Sequence, residues 1–173
     1  MGLQLIFVVE TNKSCKSDWI YIKDTIDYFY KYENTQVKFT TVYMGGKGNY
    51  KKKEKEITGY ISQYASVSKE NQSKVIYCFD CDDYDAKPED FRFLEDAEKC
   101  CSSKGYEFVW FCRDIEQVYL GKRIEDKQKK SESAKYKAKK EIKNIDKNSL
   151  STDILQQGTS NIMKVLDKYL QQT

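Results

Sequence analysis

Four short apolar runs punctuate the first two thirds of the chain, and the stretches between them repeat their apolar residues every three or four positions. Leu3–Val9, Lys74–Asp80 and Glu107–Cys112 are rich in β-branched and aromatic residues, whereas Gln36–Tyr43 alternates polar and apolar ones. Such runs suit strands of a sheet covered on both faces. After Ser17, a candidate N-cap, Trp19, Ile22, Ile26 and Phe29 form one amphipathic stripe. Ile57, Tyr60, Ile61 and Tyr64 form a second, and Phe91, Leu94, Ala97 and Cys101 a third that Pro88 opens and Gly105 stops. This βαβαβαβ alternation predicts an α/β fold with a mostly parallel four-stranded sheet flanked by helices.

Beyond Gly121 the composition shifts. Residues 122–147 carry 11 Lys+Arg and 5 Asp+Glu, a local +6 against a chain total of +3, so the remaining residues carry −3. The thin stripe of Ala134, Ala138, Ile142 and Ile145 predicts an exposed helix or partly ordered arm. Ile162, Val165, Leu166 and Tyr169 predict a last helix that docks on the core. The expected organisation is thus an α/β domain over residues 1–121 followed by a C-terminal helical extension over 122–173. The apolar start lacks a basic n-region and a cleavage site, and no run approaches the ~18 apolar residues of a membrane span. A cytoplasmic protein with reduced thiols and no membrane partner is expected.

There is no histidine in 173 residues. That removes histidine-based triads, His-ligated zinc proteases and nucleases with a His general base. Carboxylates are the chemistry that remains most concentrated. Asp80 and Asp82 stand at the carboxyl end of the third run and Glu10 at the end of the first. Alternate strand residues share a face, and ligands of open parallel sheets bind beyond the carboxyl ends of the strands. Close carboxylates repel by up to ~4 kcal/mol per pair at an effective dielectric near 20, a penalty that a divalent cation removes. Oxygen-only donors favour Mg²⁺ or Mn²⁺. The plainer alternative is a solvated acidic loop that caps the next helix.

An apolar strand ending in Glu10, two βα units and a strand ending Asp80-Cys81-Asp82 resemble the Toprim domain of topoisomerases, primases and OLD-type nucleases, and most nearly its small RloB-like group. Ser17-Asp18-Trp19-Ile20-Tyr21-Ile22 is similar to that group's Thr-Glu-x-x-Tyr-aromatic sequence, and the resemblance spans roughly residues 3 to 120. It implies that Glu10, Asp80 and Asp82 are catalytic and metal-binding, with Asp18 and Glu116 as secondary acids. It also implies a Mg²⁺-dependent nuclease or other phosphodiester-processing protein, with a role in bacterial defence against phage. The chain departs from the pattern at Thr11, where a Gly is usual, in a longer segment before Asp18, and in lacking the group's later His. The alternative is a non-catalytic Toprim-like module that binds a nucleotide, a larger protein partner or a second copy.

Gly45-Gly46-Lys47-Gly48 lies between a strand and a helix, where backbone N–H groups and Lys47 could cradle a phosphate. Lys13 and Lys16 are further candidates for steadying a phosphate. A plain Gly-rich turn explains the same residues. Cys78 and Cys81 form a CxxC, but neighbouring carboxylates oppose the low thiol pKa that a redox centre needs. The lysines of 122–147 could contact nucleic acid, or be solvated surface.

Overall fold

The first apolar run becomes the middle of the sheet. A computed structural model describes all 173 residues, Met1–Thr173. Strand β1 (Leu3–Val9) is followed by α1 (Ser17–Phe29), the two-residue β2 (Tyr30–Lys31) and β3 (Val37–Tyr43). A 3-10 turn over Lys47–Lys53 leads into α2 (Glu54–Val67), then β4 (Gln72–Asp80), α3 (Pro88–Ser103), β5 (Glu107–Cys112) and α4 (Ile115–Leu120). The lysine-rich segment supplies α5 (Asp126–Ala138) and two 3-10 turns before β6 (Thr159–Ser160), α6 (Ile162–Leu166) and β7 (Gln171–Gln172).

The main sheet has the order β3-β1-β4-β5-β6. Its first four strands are parallel and are the four expected; β6 adds an antiparallel fifth through Phe111↔Ser160 and Cys112↔Thr159. A separate antiparallel pair joins β2 to β7, tying the C-terminus beside the end of α1.

Residues two apart on a strand share a face, and the two cores follow that period. Leu5, Phe7 and Val9, with Ile76, Cys78, Val109 and Phe111, face α1, α4 and α6. Ile6 and Val8, with Val75, Tyr77, Phe79, Cys81, Trp110 and Cys112, face α2 and α3. Cys78 and Cys81 therefore lie on opposite sides of the sheet, and all six cysteines are free thiols. Burial pushes the Cys78 thiol well up, the reverse of a reactive dithiol. One polar group crosses this apolar layer. Gln4 is fully buried, donates to Thr40 Oγ1 at 2.8 Å and accepts from Ser73 Oγ at 2.7 Å, so it links three parallel strands through satisfied hydrogen bonds.

The lysine-rich segment is not an exposed arm throughout. Tyr136 of α5 is 2% exposed and sits edge-on to Tyr21 of α1 at 5.1 Å, while Tyr21 stacks on Tyr119 of α4 at 5.1 Å. Ile142 and Leu150 join the same core. The stripe read from the alanines missed this seat: Ala134 and Ala138 are exposed, and Ser133 and Tyr136 are the buried residues of α5. The last helix is only Ile162–Leu166, and Ile162, Met163, Val165 and Leu166 are buried in it.

Candidate functional site

Glu10, Thr11, Asn12, Cys15, Asp18, Gly45, Gly46, Asp80, Asp126 and Lys129 line a cleft of about 470 Å³. It opens at the carboxyl edge of the sheet, where β1, β3 and β4 end. Each of three carboxylates is fixed by a backbone N–H. Glu10 Oε1 accepts from the Asp80 N–H at 2.8 Å, Asp80 Oδ1 from the Ile115 N–H at 2.9 Å, and Asp18 Oδ2 from the Thr11 N–H at 3.1 Å. These bonds run between neighbouring strand ends and helix starts, so the fold itself sets the carboxylates' rotamers.

Crowding and burial raise the pKa of all three. For Glu10 the main cause is burial, with the charges of Asp18 and Asp82 adding to it and the Asp80 N–H opposing. Burial also dominates for Asp18, against the Thr11 N–H and Lys129. Asp80 is pushed well up by burial and then by Glu10, Asp18 and Glu116. Behind the cleft, Glu116 is fully buried and neither oxygen has a hydrogen-bond partner. Burial raises its pKa to about 7, with Lys129 opposing and Asp18 and Asp114 adding.

The four lining acids face one cation, Lys129 of α5, whose Nζ lies 3.7 Å from Glu116 Oε2 and 3.5 Å from Asp126 Oδ1. Burial works against the ammonium, but Glu116, Asp80 and Asp18 outweigh it and raise its pKa. Lys129 is thus the counter-charge of Asp18, Asp80 and Glu116, while the cation that opposes the shift of Glu10 is Lys47.

The other residues singled out from the sequence lie elsewhere. Asp82 does not share a face with Asp80, because β4 ends at Asp80 and Asp82 adopts a left-handed φ of 50°. It pairs instead with Lys47, which also reaches Asp90 at 3.3 Å and lies 4.8 Å from the Phe93 ring centre. Gly45 and Gly46 line the cleft, yet their N–H groups are donated to Thr11 O and Glu10 O at 3.4 and 2.9 Å. A Gly-rich turn that extends the β1–β3 pairing explains these bonds better than a phosphate cradle. Lys47 and Gly48 belong to the following 3-10 turn, and Lys13 is exposed outside the cleft. Ser17 is the first helical residue of α1 rather than its cap, since Asn12 Oδ1 accepts from the N–H groups of Ser14 and Cys15 and turns the chain earlier.

Gly46 has a φ of 113° and ψ of 135°, a region that side chains avoid. A Cβ there would meet nothing closer than Asn49 Nδ2 at 3.9 Å, so Gly46→Ala isolates the backbone term. Its expected cost is about 2 kcal/mol by urea unfolding. Gly48, with open space around its Cα and no positive φ, is the control and its alanine variant should not lose stability.

Comparison with family models, with curated proteins and with solved structures returns no match, so the site is read from its own geometry. The carboxylates that line the cleft are the oxygen donors a hard divalent cation prefers, and Glu116 behind them has Lys129 at 3.7 Å but no hydrogen-bond partner. No three Asp, Glu, Cys or His side chains are arranged as a ready ligand set. No helix is long and apolar enough to cross a membrane.

Proposed function

We propose that this chain is a Toprim-like, Mg²⁺- or Mn²⁺-dependent protein that processes phosphodiesters of nucleic acid. The observation that carries the reading is the convergence of Glu10, Asp18 and Asp80 at the carboxyl edge of a parallel sheet, with pKa values raised together. Glu10 and Asp80 would hold the cation, with Asp18 and Glu116 behind them; Asp82 has no part in that set. A bound divalent cation supplies Lewis-acid stabilisation of charge on phosphate oxygens. The chain's own residues then have distinct tasks. The Asp80 N–H and the Ile115 N–H keep the Glu10 and Asp80 carboxylates apart and oriented. Glu10 Oε1 is held by the Asp80 N–H, so Oε2 would be the oxygen left to meet the cation or to accept a proton as general base.

The test is incubation of the protein with DNA and RNA in Mg²⁺ or Mn²⁺. Cleavage is expected, and Asp80→Asn should abolish it while Asp82→Asn retains it. No cleavage of either substrate, or cleavage unchanged by Asp80→Asn, would sink the proposal. Glu10, Asp18 and Asp80 each already accept a backbone N–H, and this favours as second reading a non-catalytic module that binds a nucleotide or a protein partner. Thermal stabilisation by nucleotides but not by Mg²⁺ alone would select it.

A further inference from the structure

The chain has 27 lysines but only three arginines, Arg92, Arg113 and Arg123. Two of the three converge on one atom. Arg113 Nη1 lies 3.1 Å and Arg123 Nη2 3.0 Å from Asp83 Oδ1, while Lys87 Nζ lies 2.9 Å from Asp83 Oδ2. Asp83 is therefore the anion that all three cations share. The remaining reach of the pair goes to Asp85, 3.2 Å from Arg113 Nη2, and to Asp114, 3.7 Å from Arg123 Nε.

The cluster lies at the same carboxyl edge of the sheet as the cleft, just beyond the ends of β4 and β5. Asp83 is three residues beyond Asp80, the Arg113 carbonyl accepts the Asp82 N–H at 2.7 Å, and Arg123 is three residues before the cleft-lining Asp126. Guanidinium groups bind phosphate oxygens in forked pairs, which an ammonium cannot do, and that accounts for arginine here in a chain that otherwise uses lysine. A phosphodiester carries the same single negative charge as the Asp83 carboxylate and offers oxygens at similar spacing.

We infer that Arg113 and Arg123 bind a backbone phosphate of a nucleic-acid strand beside the cleft, and that Asp83 holds their place in the free protein as an internal anion. The inference takes its ligand class from the function proposed above and adds the residues that grip the strand. Arg113 and Arg123 fix the strand's position, while Asp83 makes binding an exchange of one anion for another. An exchange lowers affinity but keeps the arginines from collapsing onto the acids of the cleft.

The test reads binding alone, by fluorescence anisotropy of labelled single-stranded DNA and RNA with the full chain in chelator, so it does not depend on cleavage. Asp83→Asn is expected to tighten binding several-fold more than Glu70→Gln, the same charge change at the amino edge of the sheet. Arg123 is largely exposed, so Arg123→Ala should fold normally; it should weaken binding about tenfold and reduce the salt slope by about 1. Arg123→Lys should not restore it. Unchanged affinity and salt slope in Arg123→Ala, or no tightening in Asp83→Asn beyond the Glu70→Gln control, would overturn the inference and leave the cleavage reading standing. Shifts in binding as expected with no cleavage by the wild-type protein would do the opposite.

Discussion

Between about pH 5 and about pH 8 the folded protein is expected to lose stability, and Glu116→Gln is expected to remove about 3 kcal/mol of that loss. The sign follows from the direction of the shift. Glu116 has a pKa of about 7 in the fold against 4.5 as its ordinary value, so the native state binds the proton more tightly than the unfolded chain. Below the unfolded value both states are protonated and the fold carries no penalty. As pH rises through the window the unfolded chain ionises first, and above the folded value the native state must bury a charge. Asp18, Asp80 and Glu10 shift the same way and steepen the slope. The carboxylates whose pKa is lowered, Glu54, Asp83, Glu107 and Glu132, act oppositely, but their gain is complete once the pH exceeds their unfolded values. The window above about pH 5 therefore reports the acids whose pKa is raised, Asp24 of α1 among them, and the Glu116→Gln variant separates the share of Glu116. Urea unfolding followed by Trp19 and Trp110 fluorescence measures the slope. A Glu116→Gln variant with the wild-type slope would show that Glu116 does not enter the fold as the neutral acid. Mg²⁺ or Mn²⁺ held by the cleft should flatten the wild-type slope at the alkaline end, because it replaces bound protons as the neutralising charge.

How much of this was legible in the sequence depends on the distance over which each residue acts. β1, β4 and β5 announced themselves because burial on both faces leaves each as an apolar run, β3 at the sheet's edge showed as an alternation instead, and the helices between them carry stripes of the right period. The two-residue strands β2, β6 and β7 leave no pattern at all, since pairing at that length is decided by where the chain has been carried. Glu10, Asp18 and Asp80 were visible as strand-end and helix-start acids and the fold gathers them. The face that Asp82 was expected to share with Asp80 fails for a local reason: alternation applies only while the strand lasts, β4 ends at Asp80, and Asp82 itself is left-handed. Gly45 and Gly46 were recognisable as a turn, but only the coordinates reveal that Glu10 and Thr11 carbonyls consume their N–H groups. Lys129 carried no signal, because nothing local separates it from the other ten basic residues of its segment. Its role is set by Tyr136, which seats α5 on Tyr21 and Tyr119 and so brings one lysine of many over the acids.

Lys129→Met is accordingly expected to cost about 3 kcal/mol at about pH 8, far more than the loss of a surface charge. Removing one member of a buried pair leaves the other uncompensated, and here Glu116 is fully buried while the Lys129 side chain is 22% exposed. Methionine keeps the aliphatic stem, so the packing of α5 on α1 through Tyr136 should survive and the measured loss is electrostatic. Two further measurements separate this from a packing defect. At about pH 5 the cost should shrink, because the acids that Lys129 offsets then take up protons. In Lys129→Met combined with Glu116→Gln, most of the loss should return, giving a coupling of about 1–3 kcal/mol for the pair. A cost below about 1 kcal/mol at both pH values would mean that the pair behaves as an exposed one and that Tyr136 alone holds the helix. Addition of Mn²⁺ to the single variant extends the same logic: a divalent cation taken up by Glu10 and Asp80 should raise its melting temperature more than that of the wild type, since the variant's cleft has lost the one cation that lines it.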